Sequence, residues 1–176
     1  MEKFKRLAVF DMDGTLIDTP TKETGVITYK EKTGQEWPHQ GWWGRGETLD
    51  MDIFDMEMVP SVREAYEIER AKPDTMVIML TGRIPRLRHL VEAILNKFDF
   101  KFDSYNYNMG GPTDVSKIKT ITEILDKHKS IAEVKMWDDR TDHIQIFNDW
   151  GRQQIKSGRL QDFHIEHVIL ENPHHK

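Results

Sequence analysis

Short apolar runs alternate with amphipathic patterns along this chain, and this alternation restricts the fold more than any other feature of the sequence. The strand-like runs are residues 7–10, 76–80 and 134–137, with weaker candidates at 102–107 and 164–170. The helical patterns are residues 62–71, 86–97, 115–129 and 143–156. Strands that alternate with helices form a mostly parallel sheet covered by crossover helices. The sequence therefore predicts an α/β fold with a Rossmann-like sheet flanked by helices.

The segment of about residues 16–60 interrupts this alternation. It is rich in glycine and proline, and it contains Trp37, Trp42 and Trp43. Glycine and proline at this density favour turns over regular strands and helices. The chain has 176 residues, which is enough for one complete core but too few for two ordinary domains. We therefore predict one domain, residues 1–176, with this segment as a small cap-like insertion over the ligand-binding edge.

The composition argues against several classes of function. The net charge is -5, so there is no basic field for general nucleic-acid binding, although recognition of a strand end stays open. The absence of cysteine excludes disulfides, zinc–thiolate sites and cysteine nucleophiles. No apolar run reaches the roughly 18 residues of a membrane span. We expect a cytoplasmic protein without a membrane partner, while its oligomeric state and protein partners are not indicated.

Two carboxylates directly follow the first apolar run. Asp11 and Asp13 are separated by one residue and precede Gly14, which allows a sharp turn. The carboxyl edge of a parallel sheet is where ligands bind, and crowded carboxylates need a cation or a proton. This pattern favours a hard metal ion, an anionic substrate and a carboxylate nucleophile. The plain alternative is a turn that only ends the strand; a calcium loop would need further acidic ligands, which are missing.

Thr81, Gly82 and Arg83 follow the predicted strand 76–80. A threonine hydroxyl and the N–H groups at the start of the next helix can donate hydrogen bonds to phosphoryl oxygens. An arginine guanidinium can contact a phosphate through two parallel hydrogen bonds. These residues are therefore candidates for phosphate binding, although a simple turn with a surface arginine explains the same pattern.

One lysine and an acidic pair complete the candidate site. Lys117 lies near the start of a predicted helix and can neutralise a phosphoryl group, with Lys119 as a rival. Asp138 and Asp139 follow the predicted strand 134–137, and one of them can complete an oxygen-ligand shell for Mg²⁺. A solvated lysine and a helix cap are the ordinary alternatives. All four elements occur at strand ends or helix starts, so one fold can bring them together.

Several residues outside these four elements are candidates for substrate contact. Trp42 and Trp43 are adjacent, and either ring can stack on a base or sugar if it is not used to pack the insertion on the sheet. Arg45 and Arg83 can contact a second phosphate or a ribose, and surface positions explain them nearly as well. We expect structural roles for the histidines, including His143 near Asp139.

The chain resembles the haloacid dehalogenase-like (HAD) superfamily of phosphohydrolases. The order of its motifs carries this resemblance: Asp11-Met12-Asp13-Gly14-Thr15, then Thr81, Lys117 and Asp138-Asp139. Within the superfamily, Gly41-Trp42-Trp43 and Trp137-Asp138-Asp139-Arg140 are similar to the Swiss Army Knife RNA repair-like branch. Thr81-Gly82-Arg83 and Thr113 before Lys117 also resemble the phosphatase domain of polynucleotide kinase-phosphatases, whereas Ser116 stands where that branch often has an aromatic residue.

The resemblance implies a role for each matched residue. Asp11 is then the nucleophile and Asp13 the general acid and base, while Thr81 and Lys117 hold phosphoryl oxygens. The implied cofactor is Mg²⁺, and its implied ligands are Asp11, the main-chain carbonyl of Asp13, and Asp139, with Asp138 in support; the last two could be exchanged.

The implied function is Mg²⁺-dependent hydrolysis of a phosphomonoester through an aspartyl-phosphate. The expected partner is a phosphorylated small molecule or a nucleic-acid end, with a nucleotide or nucleic-acid phosphate end favoured. Two alternatives stay open: a phosphatase for a small metabolite such as a sugar phosphate, and a phosphate-binding module without enzymatic activity.

Overall fold

A five-stranded parallel sheet forms the centre of the protein. The computed structural model describes residues 3–170. Its strands are β1 (Arg6–Phe10), β2 (Ile17–Asp18), β3 (Glu57–Met58), β4 (Thr75–Leu80), β5 (Ser104–Asn106), β6 (Glu133–Asp138) and β7 (Asp162–His167). The main sheet has the order β5-β4-β1-β6-β7, and β2 and β3 form a separate antiparallel pair. The predicted α/β fold with a Rossmann-like sheet is confirmed.

Helices cover both faces of this sheet. They are α1 (Lys22–Thr33), α2 (Pro60–Arg70), α3 (Arg88–Lys97), α4 (Thr113–Lys127) and α5 (Thr141–Lys156). Successive side chains of a strand point to opposite faces. Phe10 accordingly lies in one buried cluster with residues of α2 and α3, and Val9 lies in another with residues of α4 and α5. The central strands β1 and β4 are therefore buried on both faces, which explains why they read as nearly continuous apolar runs, whereas the edge strand β7 is mostly polar.

The register of the central strands brings three loops to one edge. Phe10, the last residue of β1, pairs with Met79 of β4 and with Trp137 of β6. Because the strands are parallel, the loops that follow β1, β4 and β6 leave the sheet side by side. The candidate residues after these strands consequently meet at one carboxyl edge, on either side of the central strand.

The segment between β1 and α2 contains more regular structure than its composition suggests. The β2–β3 pair closes it, α1 follows β2, and a short 3₁₀ helix covers Gly46–Leu49. The sequence does not predict α1, because the helix is largely solvated and Gly25 is its only buried residue. A helix without an apolar stripe has no periodicity to read.

Trp42 belongs to the hydrophobic core of this segment. Its side chain is buried, packs edge-on against Phe54, and donates a hydrogen bond from Nε1 to the Pro20 carbonyl oxygen at 3.2 Å. A buried ring has no face available for a base. The structure thus corrects the assignment of Trp42 as a substrate contact and supports the alternative that it packs the insertion.

Replacing Gly25 with Ala is expected to destabilise the protein. A Cβ at this position lies 2.1 Å from Cη2 of Trp42, so the buried ring must move. Overpacking outweighs the better helix propensity of alanine and leaves a net cost of about 1–2 kcal/mol. The melting temperature should fall by about 2–8 °C. Gly41→Ala is the control, since its Cβ meets no atom within 4 Å; equal melting temperatures of the two variants would contradict this packing.

The bounds of the elements differ from prediction by a few residues. Three helices begin two residues before the predicted starts at 62, 115 and 143, since polar or proline residues of a first turn precede the apolar periodicity. Residues 168–170 lie beyond the end of β7. Among residues 3–170, no helix combines the length and the apolar character of a membrane span.

Candidate active site

A cleft of about 480 Å³ opens at the carboxyl edge of the sheet. This volume is within the usual range for small-ligand sites. The residues that line the cleft are Asp11, Asp13, Trp43, Gly82, Arg83, Thr113, Lys117, Asp139 and Arg140. The fold thus brings residues from five separate parts of the sequence to one place.

Asp11 lies at the floor of the cleft, directly after β1. The left-handed backbone of Gly14, with φ of 69°, turns the chain away behind it. Its carboxylate accepts a hydrogen bond at Oδ1 from Nζ of Lys117 at 3.0 Å and one at Oδ2 from the Thr15 hydroxyl at 3.3 Å. Both oxygens are therefore oriented before any ligand binds.

Lys117 connects two of the carboxylates. Its Nζ lies 3.0 Å from Oδ1 of Asp11 and 2.8 Å from Oδ2 of Asp138, and the side chain is 3% exposed. Burial alone lowers the pKa of this ammonium, but the two carboxylates outweigh burial and hold the pKa above its ordinary value. Lys119 is exposed on another side of α4, so the geometry favours Lys117 over its rival.

The neighbouring aspartates after β6 have different surroundings. Asp138 is buried, and its Oδ2 and Oδ1 accept hydrogen bonds from Lys117 and from the main-chain N–H of Arg140, at 2.8 and 3.0 Å. Asp139 lines the cleft instead. This difference supports Asp139 as the residue that faces a bound ligand and Asp138 as the residue that positions Lys117.

The acidic groups of the cleft form a possible metal centre. Carboxylate oxygens of Asp11, Asp138 and Asp139 lie within 4.8 Å of one another. Burial is the main cause that raises the pKa of Asp11 and of Asp139, and neighbouring carboxylates raise both further. Hard oxygen donors crowded in this way fit Mg²⁺, which neutralises them without a proton.

Asp13 is held by contacts with Arg83 and Thr19. Nε and one terminal nitrogen of Arg83 donate to its two carboxylate oxygens at 3.0 and 2.7 Å, and the Thr19 hydroxyl donates at 2.6 Å. Burial raises the pKa of Asp13, but Arg83 and Thr19 outweigh burial and lower it below its ordinary value. In this conformation Asp13 is a carboxylate with its orientation set by Arg83.

The remaining nitrogen of Arg83 binds the insertion. It donates to the carbonyl oxygen of Trp43 at 2.8 Å and to the Thr48 hydroxyl at 2.6 Å, and the guanidinium is 1% exposed. All three guanidinium nitrogens thus have protein partners. The structure corrects the assignment of Arg83 as a phosphate contact: it positions Asp13 and ties the insertion to the core.

Gly82 lines the cleft, whereas Thr81, directly before it, is buried and is not among the lining residues. The Thr81 hydroxyl accepts a hydrogen bond from the Arg83 main-chain N–H at 3.1 Å, and it stays able to donate. A Cβ on Gly82 would lie 2.7 Å from Cγ2 of Thr113, so only glycine allows α4 to approach this closely. The β4 loop and the start of α4 therefore form one wall.

Two residues that line the cleft are absent from the predicted set, and four predicted residues are not among the lining residues: Trp42, Arg45, Thr81 and Asp138. Thr113 is one helical turn before Lys117 on the same face of α4, and Arg140 directly follows the acidic pair; spacing alone could have selected both. Arg45 is exposed and is not among the lining residues, so its role as a substrate contact stays a prediction. His143 is buried and packs edge-on against Phe147.

Replacing Asp139 with Asn is expected to stabilise the metal-free protein and to weaken its response to Mg²⁺. The change removes one of several crowded carboxylates, which is worth about 1 kcal/mol, or about 2–4 °C in melting temperature. The wild-type melting temperature should rise with Mg²⁺, and that of the variant should rise much less. Asp162→Asn, at an exposed strand residue, is the charge-matched control. Equal Mg²⁺ responses in the variant and the wild type would exclude Asp139 as a ligand.

The fold and the site together define the class of protein. A Rossmann-like sheet with an aspartate pair after β1, a threonine after β4, a buried lysine on α4 and an acidic pair after β6 is the arrangement of the HAD superfamily of hydrolases. Within it, the chain belongs to HAD domain family 1 in Swiss Army Knife RNA repair proteins, whose model matches residues 24–175. The matched range contains Thr81, Lys117 and Asp139 and begins after Asp11 and Asp13. The resemblance to this branch is confirmed.

Solved structures share the fold. Two structures of the Pnkp1/Rnl/Hen1 RNA repair complex align with TM-scores of 0.58 and 0.59 at 15% and 14% identity, each over 95% of this chain. This chain spans 48% and 44% of the chains it matches there. The HAD domain of the effector protein Lem4 from Legionella pneumophila aligns with a TM-score of 0.55 at 10% identity, over 98% of this chain and 91% of that domain's chain. At these identities the similarity shows the fold alone.

Proposed function

We propose that the protein is a Mg²⁺-dependent phosphomonoesterase that acts through an aspartyl-phosphate on Asp11. The observation that carries this proposal is the Asp11 carboxylate, oriented at the floor of the cleft by Lys117 and Thr15. A carboxylate held in this way can attack a phosphoryl group in line and divide the hydrolysis into two easier steps. Membership in a hydrolase superfamily agrees with this chemistry.

In the first step, an oxygen of Asp11 forms a bond to phosphorus while the bond from phosphorus to the leaving oxygen breaks. Lys117 offers a buried positive charge to the phosphoryl oxygens, and the Thr81 hydroxyl offers a donor. A bound Mg²⁺ would neutralise the carboxylates and the phosphoryl charge. We assign its binding to Asp11, Asp139 and the main-chain carbonyl of Asp13, with Asp138 in support through Lys117.

Asp13 is the candidate for proton transfer. As the carboxylate that Arg83 stabilises, it suits the second step, in which it accepts a proton from the water that attacks the aspartyl-phosphate. To protonate the leaving oxygen in the first step, Asp13 must first take up a proton, which requires weaker contact with Arg83. Because Arg83 contacts both Asp13 and the insertion, a change in its contacts with the insertion would alter the ability of Asp13 to act as the general acid.

A nucleotide or a nucleic-acid phosphate end is the proposed substrate. Trp43 lines the cleft with a partly exposed aromatic ring, as sites for unstacked bases do. The family of RNA repair proteins to which the chain belongs supports the same substrate class.

A panel of phosphomonoesters with Mg²⁺ or with EDTA tests this function. It contains an aryl phosphate, mononucleotides, an oligonucleotide with a terminal phosphate, and sugar phosphates. We expect Mg²⁺-dependent phosphate release that is fastest from the nucleotide substrates. Preference for a sugar phosphate would replace the nucleotide hypothesis with a metabolite phosphatase. Binding of these compounds without any release would indicate a phosphate-binding module.

A further inference from the structure

The cleft extends beyond the reacting carboxylates to one residue on each side. Arg140 follows β6. Trp43 belongs to the insertion, and its carbonyl oxygen accepts a hydrogen bond from Arg83, which follows β4. Because β1 lies between β4 and β6, these two side chains flank Asp11.

Arg140 differs from Arg83 and Lys117, the other cations of the cleft, in its exposure and in its partners. Arg83 and Lys117 are buried, and each is bound to buried acidic groups. Arg140 has a side chain 49% exposed, and its guanidinium pairs with Asp142, itself 65% exposed, at 2.9 Å. The pair has two hydrogen bonds, from Nε at 3.3 Å and from a terminal nitrogen at 2.9 Å, but both side chains are solvated, so water and salt screen it. Arg140 can therefore exchange this carboxylate for a phosphate, which a guanidinium binds through two hydrogen bonds.

Trp43 presents a fixed aromatic surface. The ring is 46% exposed, the Arg83 guanidinium carbon lies 5.0 Å from its centroid, and the Trp43 carbonyl oxygen accepts a hydrogen bond from Arg83. These contacts hold the residue at the cleft, with Arg83 over one face of the ring and the residue still partly exposed. An oriented, partly exposed ring is what a stacked base requires.

We propose that Arg140 and Trp43 form a subsite for the leaving group that binds a second phosphate and the adjacent base. This inference rests on the proposed function and narrows its substrate class: the preferred substrate carries an internucleotide phosphate next to the terminal phosphomonoester. A single-stranded oligonucleotide end meets this description, and a nucleoside monophosphate does not. The chain has a net charge of -5, so its overall charge does not attract nucleic acid. The affinity for such a ligand therefore depends on a few local contacts.

Steady-state kinetics with two substrates tests the subsite. A nucleoside 3′-monophosphate is compared with a trinucleotide that ends in a 3′-phosphate, and the same pair is repeated with the phosphate at the 5′ end. We expect a KM about tenfold lower for the trinucleotide in the wild type, which is the scale of one charge-assisted contact. Arg140→Gln should abolish this advantage, and Arg140→Lys should keep part of it. Trp43→Ala should raise the KM of both substrates, and Trp43→Phe should do so less.

Salt dependence gives a second, independent readout. Loss of one phosphate contact with a single strand should reduce the slope of log KM against log salt concentration by about 0.7 for the trinucleotide. Arg152→Gln is the matched control, because Arg152 is on α5, is exposed, and pairs with a neighbouring aspartate as Arg140 does. We expect wild-type kinetics from this control.

The outcomes separate the subsite from the proposed function. If the wild type hydrolyses both substrates with equal KM, or if Arg140→Gln keeps the tenfold ratio, the subsite is wrong and the phosphatase stands. If no phosphomonoester is hydrolysed, the proposed function fails. Binding of a fluorescein-labelled hexanucleotide with a terminal phosphate is then measured by anisotropy, and equal affinity of the wild type and Arg140→Gln overturns the subsite as well.

Discussion

Replacement of Asp11 with Asn is expected to abolish phosphate release while the fold stays intact. The amide keeps the shape of the carboxylate and can still accept a hydrogen bond from Lys117, but it is a very poor nucleophile. Removal of a nucleophile typically lowers kcat by a factor of about 10⁴–10⁶. Because burial and neighbouring acids raise the pKa of Asp11, loss of its charge should not lower the melting temperature of the metal-free protein.

Phosphate release under saturating substrate and Mg²⁺, together with a thermal melt, measures both effects. Asp162→Asn controls for the loss of one negative charge, since Asp162 is exposed on β7 away from the cleft. Rapid mixing of the wild type with an aryl phosphate should also show a burst of the phenolic product when hydrolysis of the intermediate is slow. Full Mg²⁺-dependent activity in purified Asp11→Asn protein would refute the proposed mechanism.

Replacement of Lys117 with Met is expected to have the largest effect on stability. The change leaves Asp11 and Asp138 buried without the cation that now lies 3.0 and 2.8 Å from them. Removal of one partner from a buried ion pair costs about 3–5 kcal/mol, which corresponds to about 6–20 °C in melting temperature. Activity should be lost too, because the phosphoryl group loses its buried positive charge.

The pH dependence of this loss provides a further test. Burial and neighbouring carboxylates raise the pKa of Asp11, and Lys117 opposes this shift. Without Lys117 the pKa of Asp11 lies higher still in the folded state, so the stability that a protonated Asp11 allows is present below about pH 4 and is lost as the pH rises through the raised pKa. The deficit of the variant should therefore shrink as the pH falls from 7 to 5. Lys119→Met, at an exposed residue two positions along α4, should change the free energy of unfolding by no more than about 0.5 kcal/mol. Similar deficits in the two variants would show that Lys117 is not buried between the acids.

Local chemistry explains which parts of the fold are predictable from the sequence. The strands β1, β4 and β6 are buried on both faces over most of their length, so each contains an apolar run, which Lys135 alone interrupts in β6. Their helices have an apolar face and a polar face. By contrast, α1 has no apolar stripe, so no hydrophobic periodicity distinguishes its sequence from that of a loop.

The neighbouring tryptophans show why the site is only partly predictable. Trp42 and Trp43 have the same side chain and adjacent positions, but Trp42 is buried against Phe54 and Trp43 lines the cleft. The direction of each ring depends on the path of the insertion over the sheet. That path is set by contacts between residues distant in sequence, such as the hydrogen bonds from Arg83 to Trp43 and Thr48.

The arginines show that the roles of charged residues are also hard to predict from the sequence. A guanidinium suits a phosphate and a carboxylate equally well, so residue type does not tell a ligand contact from a positioning contact. In the structure, Arg83 is buried with Asp13, and Arg140 is exposed beside the cleft with a surface partner. Burial and the number of protein partners distinguish them, and both are properties of the packed molecule.

The sequence by itself determined the α/β fold and the position of each acidic motif at the end of an apolar strand, because both follow from local periodicity and chain order. Thr113 before Lys117 already favoured Lys117 over Lys119, through the resemblance to the RNA repair-like branch. Only the tertiary structure decided that Lys117 joins Asp11 to Asp138, that Arg83 holds Asp13, and that Arg140 is left to face the cleft. The physical reason is that a charge changes its role with its surroundings. The partners that define those surroundings are up to 106 residues apart in the chain, as Asp11 and Lys117 are.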